Sequence, residues 1–270
     1  MLLDQLKSLL KQHNLWAKKQ YGQNFLIDES VHETILNAAN LDPTDTVVEV
    51  GPGTGFLTER LIKQVNHVTA VEKDADMVVV LQSRFVDKPN LAILQSDILA
   101  IQNYKIQNSR FKVVANIPYY ITSPILKHFL QSNHRPVLMV LMVQKEVAEK
   151  ICSIGDVGVI SIETQVFGRP EIVATVPPEA FYPPPKVHSA ILKIDVYDQP
   201  LILPDQLKSF FRLVKFGFSQ KRKKLANTLA AGLHQSPALI REALIKSGIS
   251  PDVRAEDLSI EDWKRLTTCL

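Results

Sequence analysis

Cysteine is nearly missing from this sequence: only Cys152 and Cys269 occur, far apart, with no CxxC pair and no neighbouring histidine. That excludes a disulfide framework or a zinc site of familiar spacing, and two reduced structural thiols are expected, with no metal. Long apolar runs are missing too. The longest, Val137 to Val143 (VLMVLMV), falls far short of the roughly 20 residues that span a bilayer and reads as a buried strand. The opening stretch MLLDQLKSLLKQHNLWAKK is amphipathic and basic. It lacks a continuous apolar core and a small-residue cleavage site, so no secretion signal, no membrane partner and a cytoplasmic location are expected. Repeats and low-complexity tracts are also lacking, and the net charge of +3 excludes nothing by itself.

What is present suits a folded protein with one full domain and a smaller appendage: 270 residues, 46% hydrophobic and 22% charged. From about Thr46 to Val196, short β-rich runs alternate with helix-patterned segments, which predicts a mostly parallel sheet covered by helices. The candidate strands are Thr46 to Val50, His67 to Glu72, Leu91 to Gln95, Phe111 to Ala115, Val137 to Val143, Glu171 to Val176 and Ser189 to Val196. Asp198-Gln199-Pro200 ends the pattern, and beyond it the spacing is helical: Leu207, Phe210, Phe211, Val214 and Phe218, then Leu239, Ile240, Ala243 and Leu244 after Ser236-Pro237. A boundary near residue 200 divides the chain into 1–200 and 201–270. A last short helix is expected around Ser259 to Leu270, with Ser259 as its cap.

The strongest local signal is Val47-Val48-Glu49-Val50-Gly51-Pro52-Gly53-Thr54-Gly55, a strand entering a glycine-rich turn. Missing β-carbons let a ligand approach the backbone. The spacing of Gly51, Gly53 and Gly55 is GxGxG rather than the GxGxxG of pyrophosphate-binding turns, so the nucleotide need not carry phosphate. The turn resembles motif I of class I methyltransferases, which hold S-adenosylmethionine. Glu72 closes the next strand, where a carboxylate can accept from both ribose hydroxyls. Asp97 follows the strand after that and could meet the adenine amino group or simply cap a helix. Lys73 and Ile98, next in the chain, are candidates for the same site.

Asn116-Ile117-Pro118-Tyr119 follows the fourth strand and resembles the motif of enzymes that methylate exocyclic amino groups. The lone pair of adenine N6 is delocalised into the ring, so acceptors must hold the amino hydrogens. The Asn116 side chain and a backbone carbonyl near Ile117 or Pro118 can do so, while Pro118 stiffens the turn and Tyr119 offers a face for an extruded base. Positioning and electrostatics should then carry the rate enhancement. Phe181, in the proline-rich stretch Pro177 to Ser189, could hold the base from the other side.

Over nearly its whole length the chain resembles the KsgA (RsmA) family of small-subunit ribosomal RNA adenine dimethyltransferases. Lys18-Lys19-Gln20-Tyr21-Gly22-Gln23-Asn24-Phe25-Leu26 is similar to the family's KK-x-x-GQNFL, Phe216 to Leu225 to its F-x-x-RRK-x-L, and Arg254 to Ser259 to its R-x-E-x-L-S. One departure is Val157, where the family often has tyrosine. The resemblance implies a seven-stranded class I (Rossmann-like) methyltransferase sheet, an α/β fold, with a small all-helical C-terminal domain that binds RNA. It also implies that Asn24 and Leu26 contact S-adenosylmethionine, with Gln23 nearby. The implied substrate is a pair of adjacent adenosines in the 3′-terminal hairpin of 16S RNA, and the implied partner is the small ribosomal subunit, met by a monomer.

From Asp205 to Thr228 the cations are Lys208, Arg212, Lys215, Lys221, Arg222, Lys223 and Lys224, against Asp205 alone. Such a run is usually a solvated helix face; the family resemblance makes Lys221, Arg222, Lys223 and Lys224 candidates for RNA phosphate contacts. Two alternatives stay open: a macrolide-resistance enzyme acting on large-subunit RNA, and a non-catalytic RNA-binding assembly factor. Ile117 speaks against a DNA adenine methyltransferase, whose motif usually carries two prolines.

Overall fold

The computed structural model describes residues 1–18, 21–101, 110–154, 157–220 and 222–270. In chain order its elements begin with α1 (Leu2–Gln12), β1 (Phe25–Leu26), α2 (Glu29–Ala39), β2 (Thr46–Val50), α3 (Phe56–Leu61), β3 (His67–Glu72), α4 (Ala75–Arg84), β4 (Leu91–Gln95), β5 (Lys112–Asn116) and α5 (Thr122–Leu130). They continue with β6 (Leu138–Gln144), α6 (Lys145–Cys152), α7 (Val159–Gln165), β7 (Gly168–Val176), β8 (Phe181–Tyr182), β9 (Ser189–Val196), α8 (Leu207–Gly217), α9 (Leu225–Leu233), α10 (Pro237–Lys246) and α11 (Ile260–Cys269).

The chain divides into two compact units: residues 1–148 with 169–196, and residues 149–168 with 197–270. The helical unit thus takes in an upstream excursion, including α7, that a boundary near residue 200 leaves with the sheet.

The first unit holds a seven-stranded sheet ordered β4-β3-β2-β5-β6-β9-β7, in which β4 through β6 run parallel and β9 pairs antiparallel with β6. β2, β5 and β6 are buried almost throughout, so their sequences are continuous apolar runs rather than alternating ones. Four expected strands have the observed bounds. The strands expected at Phe111 and Val137 each begin one residue later, and the one expected at Glu171 begins at Gly168. From β2 the order runs outward to β3 and β4 on one side and to β5 and β6 on the other. β2 and β5 therefore flank a topological switch point, where ligands of open α/β sheets bind.

A separate two-stranded pairing joins β1 to β8, Phe25 opposite Tyr182 and Leu26 opposite Phe181. Two-residue strands have no periodicity to read, which is why the sequence pattern does not announce them.

Local capping agrees with the elements. Asp28 caps α2 by accepting from the Ser30 and Val31 amides, Asp74 caps α4, and Ser236 caps α10 ahead of Pro237. Ser259 and Asp262 form the reciprocal box that starts α11, where the expected final helix lies. The helical unit packs around Trp263, which is fully buried and stacks on Phe218 at 6.0 Å; Phe167 stacks on Phe211 at 5.9 Å. A side chain at Gly217 would collide with the Trp263 ring, so glycine there allows α8 and α11 to approach.

Candidate active site at the strand ends

The turn after β2 opens a cavity of about 280 Å³ at the carboxyl ends of the parallel strands. Gly51 has φ +67° and a β-carbon there would touch nothing, so the turn presents bare backbone to the cavity. Gly55 has φ +82° and no room, because a β-carbon would stand 2.6 Å from the Phe85 ring. One glycine therefore serves ligand approach and the other serves packing.

Glu72, at the end of β3, is buried, and each of its oxygens accepts from backbone: Oε2 from Gly53 N–H at 3.0 Å and Oε1 from Asp74 N–H at 2.8 Å. The carboxylate thereby holds the glycine turn and the following loop in fixed positions. Burial pushes its pKa up, opposed by these backbone donors. Each oxygen keeps a further lone pair for a ligand hydroxyl. Asp97, after β4, accepts from Lys73 Nζ at 2.9 Å and from Leu99 N–H at 3.0 Å. The Lys73 hydrogen bond is the main reason its carboxyl sits below the usual range. Asp97 is thus both a turn cap and a cavity residue; Lys73 and Ile98 line the same space.

Lys18 and residues 21–26 reach both sides of the switch point. Lys18 Nζ donates to Asp74 at 2.7 Å and Asp76 at 2.5 Å, while Gln23 donates to Asp74 at 3.0 Å and accepts from Lys18 N–H at 2.8 Å. Gln23 lines the cavity, but its amide is engaged in holding this segment on the loop after β3. At the other side Asn24 offers its carbonyl oxygen to Asn116 Nδ2 at 3.1 Å. Asn24 and Leu26 also line the cavity.

That bond orients Asn116. With Nδ2 engaged, Oδ1 makes no hydrogen bond to the described residues and is left as an acceptor on a residue of the cavity wall. Ile117, Pro118 and Tyr119 line the cavity beside it, and the Tyr119 hydroxyl pairs with Ser189 Oγ at 2.5 Å, which fixes the ring. Phe181 is placed elsewhere: only 2% exposed, it packs in the core beside Leu26, Ile35 and Ala180 and is not among the cavity's lining residues. The expected base-facing role at Phe181 is therefore corrected for this conformation. Pairing of β8 with β1 turns its ring inward. Tyr120, 63% exposed at the cavity mouth, is an aromatic that the sequence reading did not single out.

Two buried titratable residues in the lining were also not singled out, Glu49 and His32. Burial pushes the Glu49 carboxyl up to about 8, against a 2.6 Å hydrogen bond from Thr58 and with a smaller upward push from Glu72. Motif I placed Glu49 at the turn, but only the fold shows it desolvated. Among the described residues no cluster of His, Cys, Asp or Glu could hold a metal ion, and no helix is long and apolar enough to cross a membrane.

Within the helical unit, Arg222 and Lys223 are exposed, and Lys224 is exposed and paired with Asp252 at 2.7 Å. Lys221 lies outside the described residues.

A family model described as ribosomal RNA adenine dimethylase matches residues 14–270. A protein of Dehalococcoides mccartyi (strain 195), named ribosomal RNA small subunit methyltransferase A, is 46% identical over 98% of this chain and 92% of its own length. A protein of the same name from Caldanaerobacter subterraneus subsp. tengcongensis is 40% identical over 94% of this chain and 97% of its own. Among solved structures, the 23S rRNA methyltransferase ErmE superimposes with TM-score 0.74 at 28% identity, over 92% of this chain and 99% of its own. A dimethyladenosine transferase from Plasmodium falciparum gives TM-score 0.76 at 24% identity, over 90% and 95%, which supports the fold.

Proposed function

From membership of the ribosomal RNA adenine dimethylase family, to which this chain belongs, we propose that it uses S-adenosylmethionine to dimethylate N6 of two adjacent adenosines in the 3′-terminal hairpin of 16S ribosomal RNA. The observation that carries this reading is the oriented Asn116, whose free Oδ1 stands on the wall of a cavity shared with Gly51, Glu72 and Asp97.

The residues present fit the cofactor. Gly51 offers open backbone, Gly53 sets its amide on Glu72, Glu72 offers acceptor capacity to a ribose, and Asp97 offers a carboxylate to an adenine amino group; Asn24 and Leu26 close the remaining side. When bound, S-adenosylmethionine supplies an electrophilic methyl group. Asn116 Oδ1 accepts from the adenine N6 amino group and the carbonyl of Ile117 or Pro118 takes its second hydrogen, which localises the nitrogen lone pair. Tyr119, held by Ser189, supports the base by stacking. The proton displaced from N6 at each transfer leaves to solvent rather than to one of these residues, so the rate enhancement rests on orientation and fixed dipoles.

Arg222, Lys223 and Lys224, with Lys221, serve RNA through phosphate contacts, which steer and orient the substrate without reading its sequence. The small ribosomal subunit is the partner, and a monomer acting in the cytoplasm during subunit assembly is the form proposed. The choice of small-subunit RNA follows the shared name of the relatives that match nearly the whole chain.

The test is transfer of radiolabelled methyl from S-adenosylmethionine to undermethylated small subunits, with large subunits and duplex DNA in parallel, followed by nucleoside analysis. Dimethyladenosine confined to small-subunit RNA is the expected result. Label in large-subunit RNA would replace this substrate with the one named for the ErmE structure, and absence of label despite cofactor binding would leave an assembly factor.

A further inference from the structure

His32 is a buried base in the cavity lining to which the proposed reaction gives no task. It lies on α2, 2% exposed, and lines the cavity together with Leu26, Glu49 and Leu57. Its Nδ1 is 2.9 Å from the carbonyl oxygen of Asp28. A carbonyl oxygen only accepts, so the ring proton sits on Nδ1 and Nε2 carries the lone pair. Burial, reinforced by the nearby Arg60 guanidinium, holds the imidazole down to about 4, and this neutral tautomer persists at physiological pH.

Among the described residues Nε2 has no hydrogen-bond partner. The buried side-chain polar atoms without a partner, among the described residues, are Thr164 Oγ1 and Trp263 Nε1. His32 Nε2 is not one of them, so it keeps some accessible surface, on a residue that lines the cavity. An acceptor kept in such a place, with its partner missing from the protein, points to a hydrogen supplied by a ligand.

The donors on S-adenosylmethionine are the adenine amino group, the ribose hydroxyls and the α-ammonium group; its carboxylate donates nothing. Glu72 and Asp97, at the ends of β3 and β4, suit the ribose and the adenine. α2 instead packs on β5, β6 and β9, across the switch point from those strands. The ammonium is the donor that remains.

We propose that His32 is a further cofactor-binding residue, whose Nε2 accepts a hydrogen bond from the α-ammonium group of S-adenosylmethionine. The assignment rests on the methyltransferase reading and deepens it by naming which end of the cofactor lies against α2.

Calorimetry with two ligands tests it: S-adenosylmethionine, and 5′-methylthioadenosine, which keeps the nucleoside and lacks the amino-acid end. His32→Leu should weaken S-adenosylmethionine binding about tenfold, as expected for loss of one hydrogen bond to a charged group, and leave methylthioadenosine binding unchanged. His32→Gln, which restores an acceptor, should recover most of the loss. Equal weakening of both ligands by His32→Leu would reduce the residue to packing and overturn the proposal, as would unchanged affinity for both. Failure of the wild-type protein to bind either ligand would instead overturn the methyltransferase reading on which the proposal rests.

Discussion

At the strand ends, polar side chains of the candidate site have fixed partners: Glu72 on two backbone amides, Asn116 on the Asn24 carbonyl, Asp97 on Lys73. In the helical unit, Lys208, Arg212, Lys215, Arg222, Lys223 and Lys224 all stand exposed, and Lys224 makes only a surface pair with Asp252. The contrast separates two kinds of work. Polarising one amino group needs an acceptor held within a fraction of an ångström, and holding it takes a network. Attracting a polyanion needs only charge of the right sign near the surface, and its strength depends on salt rather than on geometry.

Replacing the oriented acceptor should have the largest effect. Asn116→Ala is expected to lower the rate of methyl transfer by about a thousandfold, the scale of losing one preorganised polar group, while S-adenosylmethionine affinity by calorimetry stays near the wild-type value. Normal turnover in that variant would remove the basis of the contrast. Next comes Glu72→Ala, which takes away a ligand acceptor and the anchor of Gly53; cofactor affinity should fall about a hundredfold.

Removing charge from the other region should act more weakly and differently. Arg222→Ala combined with Lys223→Ala should weaken RNA binding by about tenfold at low salt and flatten the plot of log affinity against log salt by about 1.4, two phosphate contacts on a single strand. Cofactor affinity should not move. A loss of RNA binding that ignored salt would mean that these side chains make geometrically specific contacts after all.

A last effect concerns stability rather than activity and takes the form of a one-proton slope with pH. Glu49 ionises near 4.5 in an unfolded chain and at about 8 in the fold, because burial disfavours the carboxylate. The fold therefore keeps a proton that the unfolded chain has released, and this stabilisation, complete below the unfolded value, is lost as pH rises toward about 8. The Tm of the ligand-free protein should fall through that window, and Glu49→Gln should flatten the profile.

Much of the first region was legible beforehand. The strand pattern located β2 through β6 and β9 to within a residue, and the GxGxG turn, Glu72, Asp97 and Asn116 fell in register because each follows its strand directly in the chain. Phe181 shows where that reading stopped: its inward turn is set by the pairing of Leu26 with Phe181 across the whole domain. Lys18 and Gln23 were seen as parts of a family motif, yet their partner Asp74 lies more than 50 residues away, and neither spacing nor charge pattern names it.

By itself the sequence determined what local chemistry can determine. Glycines permit the positive φ angles of the turn, apolar runs dictate buried parallel strands, and Asp28, Asp74, Ser236 and Ser259 start their helices. Tertiary structure alone decided which polar groups were desolvated together: Glu49 buried against Thr58, His32 held by the Asp28 carbonyl in the cavity lining, Asn116 turned by a carbonyl 92 residues away. Burial and long-range hydrogen bonds belong to the packed chain, because a side chain's solvent and partners are set by segments that meet only when the sheet has formed.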